Sequence, residues 1–512
     1  MSPAPANFQP ARARLLPALL PCLAVALGLR LFCFNGLSLF DDVNYWMQAI
    51  ATGTDGAWPP AGNHWQTRLG FVLPCAGLLK IFGLHYWVPY AFTLLGGLGE
   101  IVLVYVIARE FVAEKTARLA AWLGVFFPLN LLFSTYLYVD LWSGVLGAAA
   151  LFWWWRALRH DRARDYALAS LAVGLGWLFR ETVVMLAPIF LVLWIHAGQW
   201  RRPKIVFALP PALLVVAAEI LLYQLTAHNW HYRFDAILAS KNQMLDDLAA
   251  DGSFLFTPVK MLLTSHELGV FLVGGLAVAV FAWRRVPKPL ALWLVVGFGW
   301  FAWGTTTPGG WVTMQRDPRY LSVLTVPCLT LLAFGLDRLN RRWLRAGLIG
   351  LLIATGLLGA GLDVGHVKLT AHRKFLASPF NSAATALEPN VYFGARAAQD
   401  FAPGEFACAS DLGRITTTRL MPHLASSRLA TVDSARYAVF SVETQPDKWR
   451  KQQAAGWRVV AEFPCDAVPL REFADRLLKK FRPSATRGTK PTPGLLVLEN
   501  PHFTADAPLQ SH

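Results

Sequence analysis

Runs of about twenty apolar residues recur along the first two thirds of this chain, and they constrain the fold more than any other feature. A helix that crosses a bilayer needs about 20 mostly apolar residues, because each residue rises only about 1.5 Å. Such runs begin with Leu15–Phe34 and continue with Tyr86–Ala108, Leu119–Phe133, Leu137–Trp155, Tyr166–Leu178, Val183–Ala197 and Ile205–Leu225. After a polar stretch come Leu268–Trp283, Pro289–Trp303, Tyr320–Leu336 and Ala346–Leu362. The pattern predicts an α-helical polytopic membrane protein with about eleven transmembrane helices. Leu15–Phe34 reads as a span and not as a secretory signal, since its apolar run is long and no small-residue cleavage site follows.

Composition agrees. The 512 residues are 55% hydrophobic and only 15% charged, against roughly 25% charged in soluble domains. The net charge of +15 invites a nucleic-acid reading, which its distribution excludes. The basic residues sit between apolar runs, in Arg109–Arg118, Arg156–Arg164, Arg201–Lys204, Arg284–Lys288 and Arg338–Arg345, not on one continuous face. Cytoplasmic loops carry such clusters. With a cytoplasmic N-terminus and strict alternation, every cluster falls inside, and residues 35–85, 226–267 and the tail fall outside. The expected organisation is a transmembrane domain over 1–362 with external loops 35–85 and 226–267, and a soluble α/β domain over 363–512.

In that tail, Phe406–Ala409, Tyr437–Val442, Trp457–Phe463 and Leu495–Glu499 read as strands. A helix opens at Thr444-Gln445-Pro446 and closes at Gly456, and Leu470–Phe481 reads as another helix. Strands alternating with helices indicate a small α/β unit with no phosphate-binding loop. Cys408 and Cys465 flank these strands, and an oxidising compartment would favour a bridge between them. The other four cysteines lie in or beside apolar runs, where Cys acts as a small hydrophobe.

Three kinds of residue could carry chemistry. Asp41 and Asp42 follow directly on the first span. Acidic residues complement a helix N-terminus, and a carboxylate beside a low-dielectric boundary can equally serve as a general base. Residues 41–51 then read as an amphipathic helix anchored by Tyr45 and Trp46. Arg68, Arg180 and Arg319 fall at external helix ends, opposite the basic clusters. Guanidinium forks suit phosphate, and headgroup snorkelling is the simpler use for any one of them. Asp140 lies at the end of an apolar run, where an ionisable group is costly and is functional by default. His228 and His231 are weak metal candidates, with Asp235 nearby; solvated histidines are commoner, and no cofactor is expected.

Taken in order, Asp41-Asp42 with Tyr45, the loop Asn63-His64-Trp65-Gln66-Thr67-Arg68, Lys80-Ile81-Phe82-Gly83, Tyr136-Leu137-Tyr138-Val139-Asp140, Gly174–Arg180 with Pro188, and Arg319-Tyr320-Leu321 with Pro327 resemble the membrane-embedded C-type glycosyltransferases. The nearest branch contains the protein O-mannosyltransferases and the lipid A aminoarabinose transferases. That resemblance implies a sugar donor linked to polyprenyl phosphate and an inverting transfer. Asp41 would be the base, with Asp42 where the family usually has Glu. Arg68, Arg180 and Arg319 would hold the donor phosphate, and Tyr45, His64, Asp140 and Tyr320 would line the site. The family usually has His-Pro-Pro or Glu-Lys-Pro where this chain has Gln66-Thr67-Arg68, so the acceptor (lipid, glycan or protein) does not carry over. The implied location is a bacterial inner membrane with a periplasmic tail. The alternative is a transporter or flippase of a lipid-linked sugar, which should show inverted repeats and charges at the midplane; neither is visible. The loop Thr226–Glu267 has a helical apolar pattern over Asp235–Ala250, and a helix there would serve as a lid over the site or as packing against the tail.

Overall fold

The computed structural model describes residues 15–33, 40–53, 64–83, 88–198, 202–238, 257–265, 267–304 and 318–363. In the tail it describes 406–408, 432, 435–441, 446–464 and 493–502. Helices fall on each of the eleven apolar runs. They are α1 (Leu15–Phe32), α4 (Val88–Ala108), α5 (Glu114–Phe126) with α6 (Pro128–Phe133), α7 (Val139–His160), α8 (Ala163–Phe179), α9 (Ala187–Ala197), α10 (Pro210–Ala227), α13 (Gly269–Phe281), α14 (Lys288–Trp303), α15 (Thr325–Asp337) and α16 (Arg342–Asp363). Among the described residues, four helical stretches are long and apolar enough to cross a membrane, namely Val88–Ala108, Pro203–Ala227, Pro318–Asp337 and Arg342–Ala360. Several other helices are apolar but shorter.

The shortening has local causes. The run Leu119–Phe133 is not one helix. Pro128 lacks an amide proton, so α5 ends before it and α6 restarts with Pro at its first turn. Three further runs open as 3-10 helices, at Glu181–Leu186, Pro203–Ala208 and Pro318–Leu324, before α9, α10 and α15. Two of these tight segments lie beside the charged cluster described below, where they set the directions of Glu181 and Arg319.

Among the described residues, segment 35–85 holds two helices, α2 (Phe40–Gly53) and α3 (Leu69–Phe82). The first covers residues 41–51 as a helix, but Tyr45 and Trp46 are buried within the protein and do not serve as surface anchors. The second, an apolar helix of 14 residues, is too short for the span rule and was not expected from the sequence. In loop 226–267, residues 232–238 form a helix, here α11, and Thr257–Thr264 forms α12. Most of the lid segment expected over Asp235–Ala250 lies outside the described residues.

The helices pack round one apolar core. Where they meet most closely, small residues make room. A Cβ at Gly144 would collide with Ser322 Oγ, so glycine there lets Pro318–Leu324 settle against the start of α7. One end of the bundle gathers the basic clusters. Arg156 bonds Glu110 at 3.0 Å, Lys204 Nζ donates to the Asp161 carbonyl at 3.0 Å, and Lys115 and Arg345 both approach Asp337, at 3.6 and 3.8 Å. Helices joined there by short loops alternate in direction, so the intervening ends converge at the opposite pole.

The tail contains a four-stranded sheet, β1 (Phe406–Cys408), β2 (Tyr437–Ser441), β3 (Arg458–Pro464) and β4 (Pro493–Glu499), in the order β1-β2-β4-β3. β1 runs parallel to β2, and β4 lies antiparallel to both β2 and β3. Alternation places Ala438 and Phe440 opposite Leu498 and Leu496 on a buried face with Trp457. Helix α17 (Pro446–Ala454) is followed by Gly456 at φ +92°, a turn that glycine makes without strain. Cys465 and residues 470–481 lie outside the described residues.

Candidate active site

At the pole opposite the basic clusters, the first turn of α2 sends its adjacent carboxylates to different tasks. Asp42 is fully buried and accepts the Leu137 backbone N–H at 2.9 Å, tying α2 to the segment between α6 and α7. Asp41 keeps 24% of its side chain exposed. Its Oδ1 accepts Trp65 Nε1–H at 2.9 Å, and its Oδ2 accepts Arg319 at 2.6 Å. Burial opposes ionisation of Asp41. The Arg319 charge and hydrogen bond, with that of Trp65, more than offset burial and hold the carboxyl below its ordinary value.

Arg319 links this carboxylate to a second one. Its Nε lies 3.7 Å from Asp140 Oδ2, and its guanidinium sits over the Tyr138 ring at 4.9 Å. Asp140 occupies the first turn of α7, where the helix dipole favours an anion. It forms an ion pair with Arg180, the residue that ends α8. Arg180 also donates to Tyr320 Oη at 2.6 Å and lies over that ring at 4.2 Å. Ser322 Oγ donates to the Asp140 carbonyl at 3.0 Å. Asp41, Arg319, Asp140, Arg180 and Tyr320 therefore form one continuous charged network. A small cavity beside it is lined by Asp140, Ser143, Thr182, Phe301, Tyr320 and Ser322.

Arg68 sits in a neighbouring network. It pairs through both terminal nitrogens with Glu181, the residue after Arg180. Arg233 of α11 approaches Glu181 at 3.6 Å and bonds Glu219 of α10 at 2.5 Å. Arg233 also donates to the carbonyls of Thr67 at 3.1 Å and Trp177 at 2.7 Å. Trp177 Nε1 completes Glu219 at 2.5 Å. Glu181, Glu219 and Arg233 were not among the sequence candidates. Glu219 had a signal, a lone carboxylate inside an apolar run; Arg233, one cation in a polar loop, had none.

The remaining candidates are placed as follows. Tyr45, one turn after Asp41, is buried edge-on against Phe71 with ring centroids 5.2 Å apart. His64 stacks on Trp65 at 3.9 Å. Burial, aided by the Arg68 charge, lowers its pKa from 6.5 to about 4. His228 and His231 are exposed. His228 ends α10 in the left-handed region, and the His231 amide closes a turn on Asn229 Oδ1 at 2.7 Å. Among the described residues, no three His, Cys, Asp or Glu side chains form a metal-binding group.

Residues 72–225 match the family described as dolichyl-phosphate-mannose-protein mannosyltransferase. That segment contains Asp140 and Arg180, while Asp41 and Arg319 flank it. The architecture as a whole is similar to the crystal structure of ArnT from Cupriavidus metallidurans in the apo state. The TM-score is 0.59 at 16% identity, over 89% of this chain and 97% of that one. The chain shares the fold of the C-type glycosyltransferases. The same ArnT bound to undecaprenyl phosphate is similar at a TM-score of 0.57 and 15% identity, over 88% and 97% of the two chains. No curated protein matches the sequence. The resemblance read from scattered motifs thus stands at the level of fold.

Proposed function

We propose that this chain is an inverting glycosyltransferase that moves a sugar from a polyprenyl-phosphate donor to a hydroxyl acceptor, with Asp41 as general base. The observation that carries this reading is the convergence of Asp41, Asp140, Arg180 and Arg319 at one pole of a fold shared with a structure that binds undecaprenyl phosphate. Asp41 is ionised, partly open and fixed by Trp65. An acceptor hydroxyl placed beside it gives up its proton to the carboxylate as its oxygen bonds to the anomeric carbon. The bond from that carbon to the phosphate oxygen breaks, and the polyprenyl phosphate leaves with the electron pair. Arg319 and Arg180 are the guanidinium groups closest to this chemistry and would stabilise the departing charge. Arg68, locked to Glu181, would contribute field more than direct contact.

In this reading the basic pole faces the cytoplasm of a bacterial inner membrane, and the charged network and the tail sheet face the periplasm. A lipid-linked donor suits that side, because nucleotide sugars are confined to the cytoplasm. Residues 363–512 then form the periplasmic domain. The transporter alternative is separated by one experiment. Sealed proteoliposomes containing the purified chain are loaded with polyprenyl-phosphate sugar labelled in the sugar, together with extracted envelope lipids and glycans. The reading requires label to leave the polyprenyl lipid and appear on an acceptor. Label that crosses the bilayer while still on its polyprenyl carrier would support transport instead.

A further inference from the structure

Among the described residues, every arginine at the candidate site already has a carboxylate partner. Arg319 is held by Asp41 and Asp140, Arg180 by Asp140, Arg68 by Glu181, and Arg233 by Glu219 and Glu181. Four guanidinium groups meet four carboxylates, so the described site has no net charge to offer an incoming phosphate. An anionic ligand that draws fully on one of these arginines competes with its present partner.

These contacts differ in how readily they can open. Asp140 and Glu219 have side chains only 3% and 2% exposed, and stripping the cation from a buried carboxylate is strongly unfavourable. Arg68 is itself 4% exposed and grips Glu181 at both terminal nitrogens. The Arg319–Asp41 contact is different. It is a single hydrogen bond to a carboxylate that is 24% exposed, and Trp65 holds that carboxylate from its other oxygen. Arg319 can leave Asp41 and keep its longer contact to Asp140 and its place over Tyr138.

We infer that the Arg319–Asp41 ion pair is a resting clasp that the donor phosphate opens. Resting on the transferase reading above, this assigns Arg319 two alternative partners, Asp41 in the empty enzyme and the phosphate in the loaded one. In the resting state the base is occupied by the guanidinium and cannot accept a proton from a hydroxyl. Phosphate binding draws Arg319 away and leaves Asp41 ionised, still held by Trp65, with one oxygen open to the acceptor. Binding of the donor and readiness of the base become a single event. An acceptor or water arriving alone meets a blocked carboxylate.

The clasp predicts that removing the base improves phosphate binding. Affinity for undecaprenyl phosphate is measured on the full chain in nanodiscs for the wild type, Asp41→Asn, Arg319→Gln and the double variant, with melting curves confirming that each is folded. Asp41→Asn should bind about fivefold more tightly, the worth of a partly exposed ion pair. Arg319→Gln should bind about tenfold or more weakly, and Asp41→Asn should add nothing in the Arg319→Gln background. Equal or weaker binding by Asp41→Asn, with Arg319→Gln still impaired, would overturn the clasp and leave the phosphate site standing. A gain that persists without Arg319 would also overturn it. If neither the wild type nor any variant binds undecaprenyl phosphate, the transferase reading falls together with the clasp.

Discussion

Asp41 and Asp42 are neighbours in sequence with opposite surroundings, and their replacement should separate chemistry from stability. Asp41→Asn keeps shape and one hydrogen bond, so the chain should fold normally and lose transfer by a factor of about 10² to 10⁴, the usual worth of a general base. Asp42→Leu strands the Leu137 amide in the interior and should cost about 1–3 kcal/mol in unfolding measurements. The sequence placed both carboxylates at a helix start but could not divide their roles, because the division depends on Leu137, Trp65 and Arg319 arriving from distant segments. pH supplies a further test. His64 titrates at about 4 in the folded chain against 6.5 ordinarily. Between those values the unfolded chain binds a proton that the folded chain does not, so this histidine makes stability fall as pH drops through that window. His64→Gln should flatten the decline in melting temperature between pH 6.5 and 4.5; an unchanged slope would show that His64 is solvated. Asp41 acts in the same direction at lower pH. Its lowered folded value adds stability at pH above about 4, the ordinary carboxylate range, and that stability is lost as pH falls through the folded value.

Among the elements, α11 is tied down by Tyr232, which donates to Gln66 at 2.9 Å, and above all by Arg233. Arg233 reaches from loop 226–267 to Glu219 on α10, over the Trp177 ring at 4.5 Å. Arg233→Met leaves Glu219 buried without its cation and should destabilise the protein by about 3–5 kcal/mol. Adding Glu219→Leu should recover most of that loss, a compensation visible in thermal unfolding of the three variants. A second buried cluster ties α1, α4 and α6 together, where Arg30 donates to Asn130 Oδ1 and Asn130 Nδ2 donates to Glu100. Apolar periodicity located nearly every helix in the membrane part, because a run long enough to span is hard to mistake. It located the breaks less well. Pro128 signalled one, but the 3-10 openings at Glu181–Leu186 and Pro318–Leu324 arise from packing, as where Gly144 admits Ser322, and have no local signature. The same limit hid α3, which is apolar yet shorter than a span.

Across the helical bundle, among the described residues, charge is sorted by pole. Basic side chains gather where Arg156 meets Glu110 and Lys115 meets Asp337, and the compensated network gathers at the opposite end. The proposed orientation predicts that a cysteine at Arg159 is labelled by a membrane-impermeant maleimide only from the cytoplasmic side. One at Trp230 should be labelled only from the periplasmic side, each above the background of the parent chain. Labelling of both from one side would break the topology. The family match over residues 72–225 and the fold shared with ArnT make the charged pole the place to test chemistry. The most direct test is the release of polyprenyl phosphate from a synthetic polyprenyl-phosphate sugar, with envelope extract as acceptor, by wild-type chain and by Asp41→Asn at equal donor occupancy. Transferase chemistry at Asp41 predicts acceptor-dependent release by the wild type and a loss of about 10² to 10⁴ in the variant; equal release by the two proteins would contradict it.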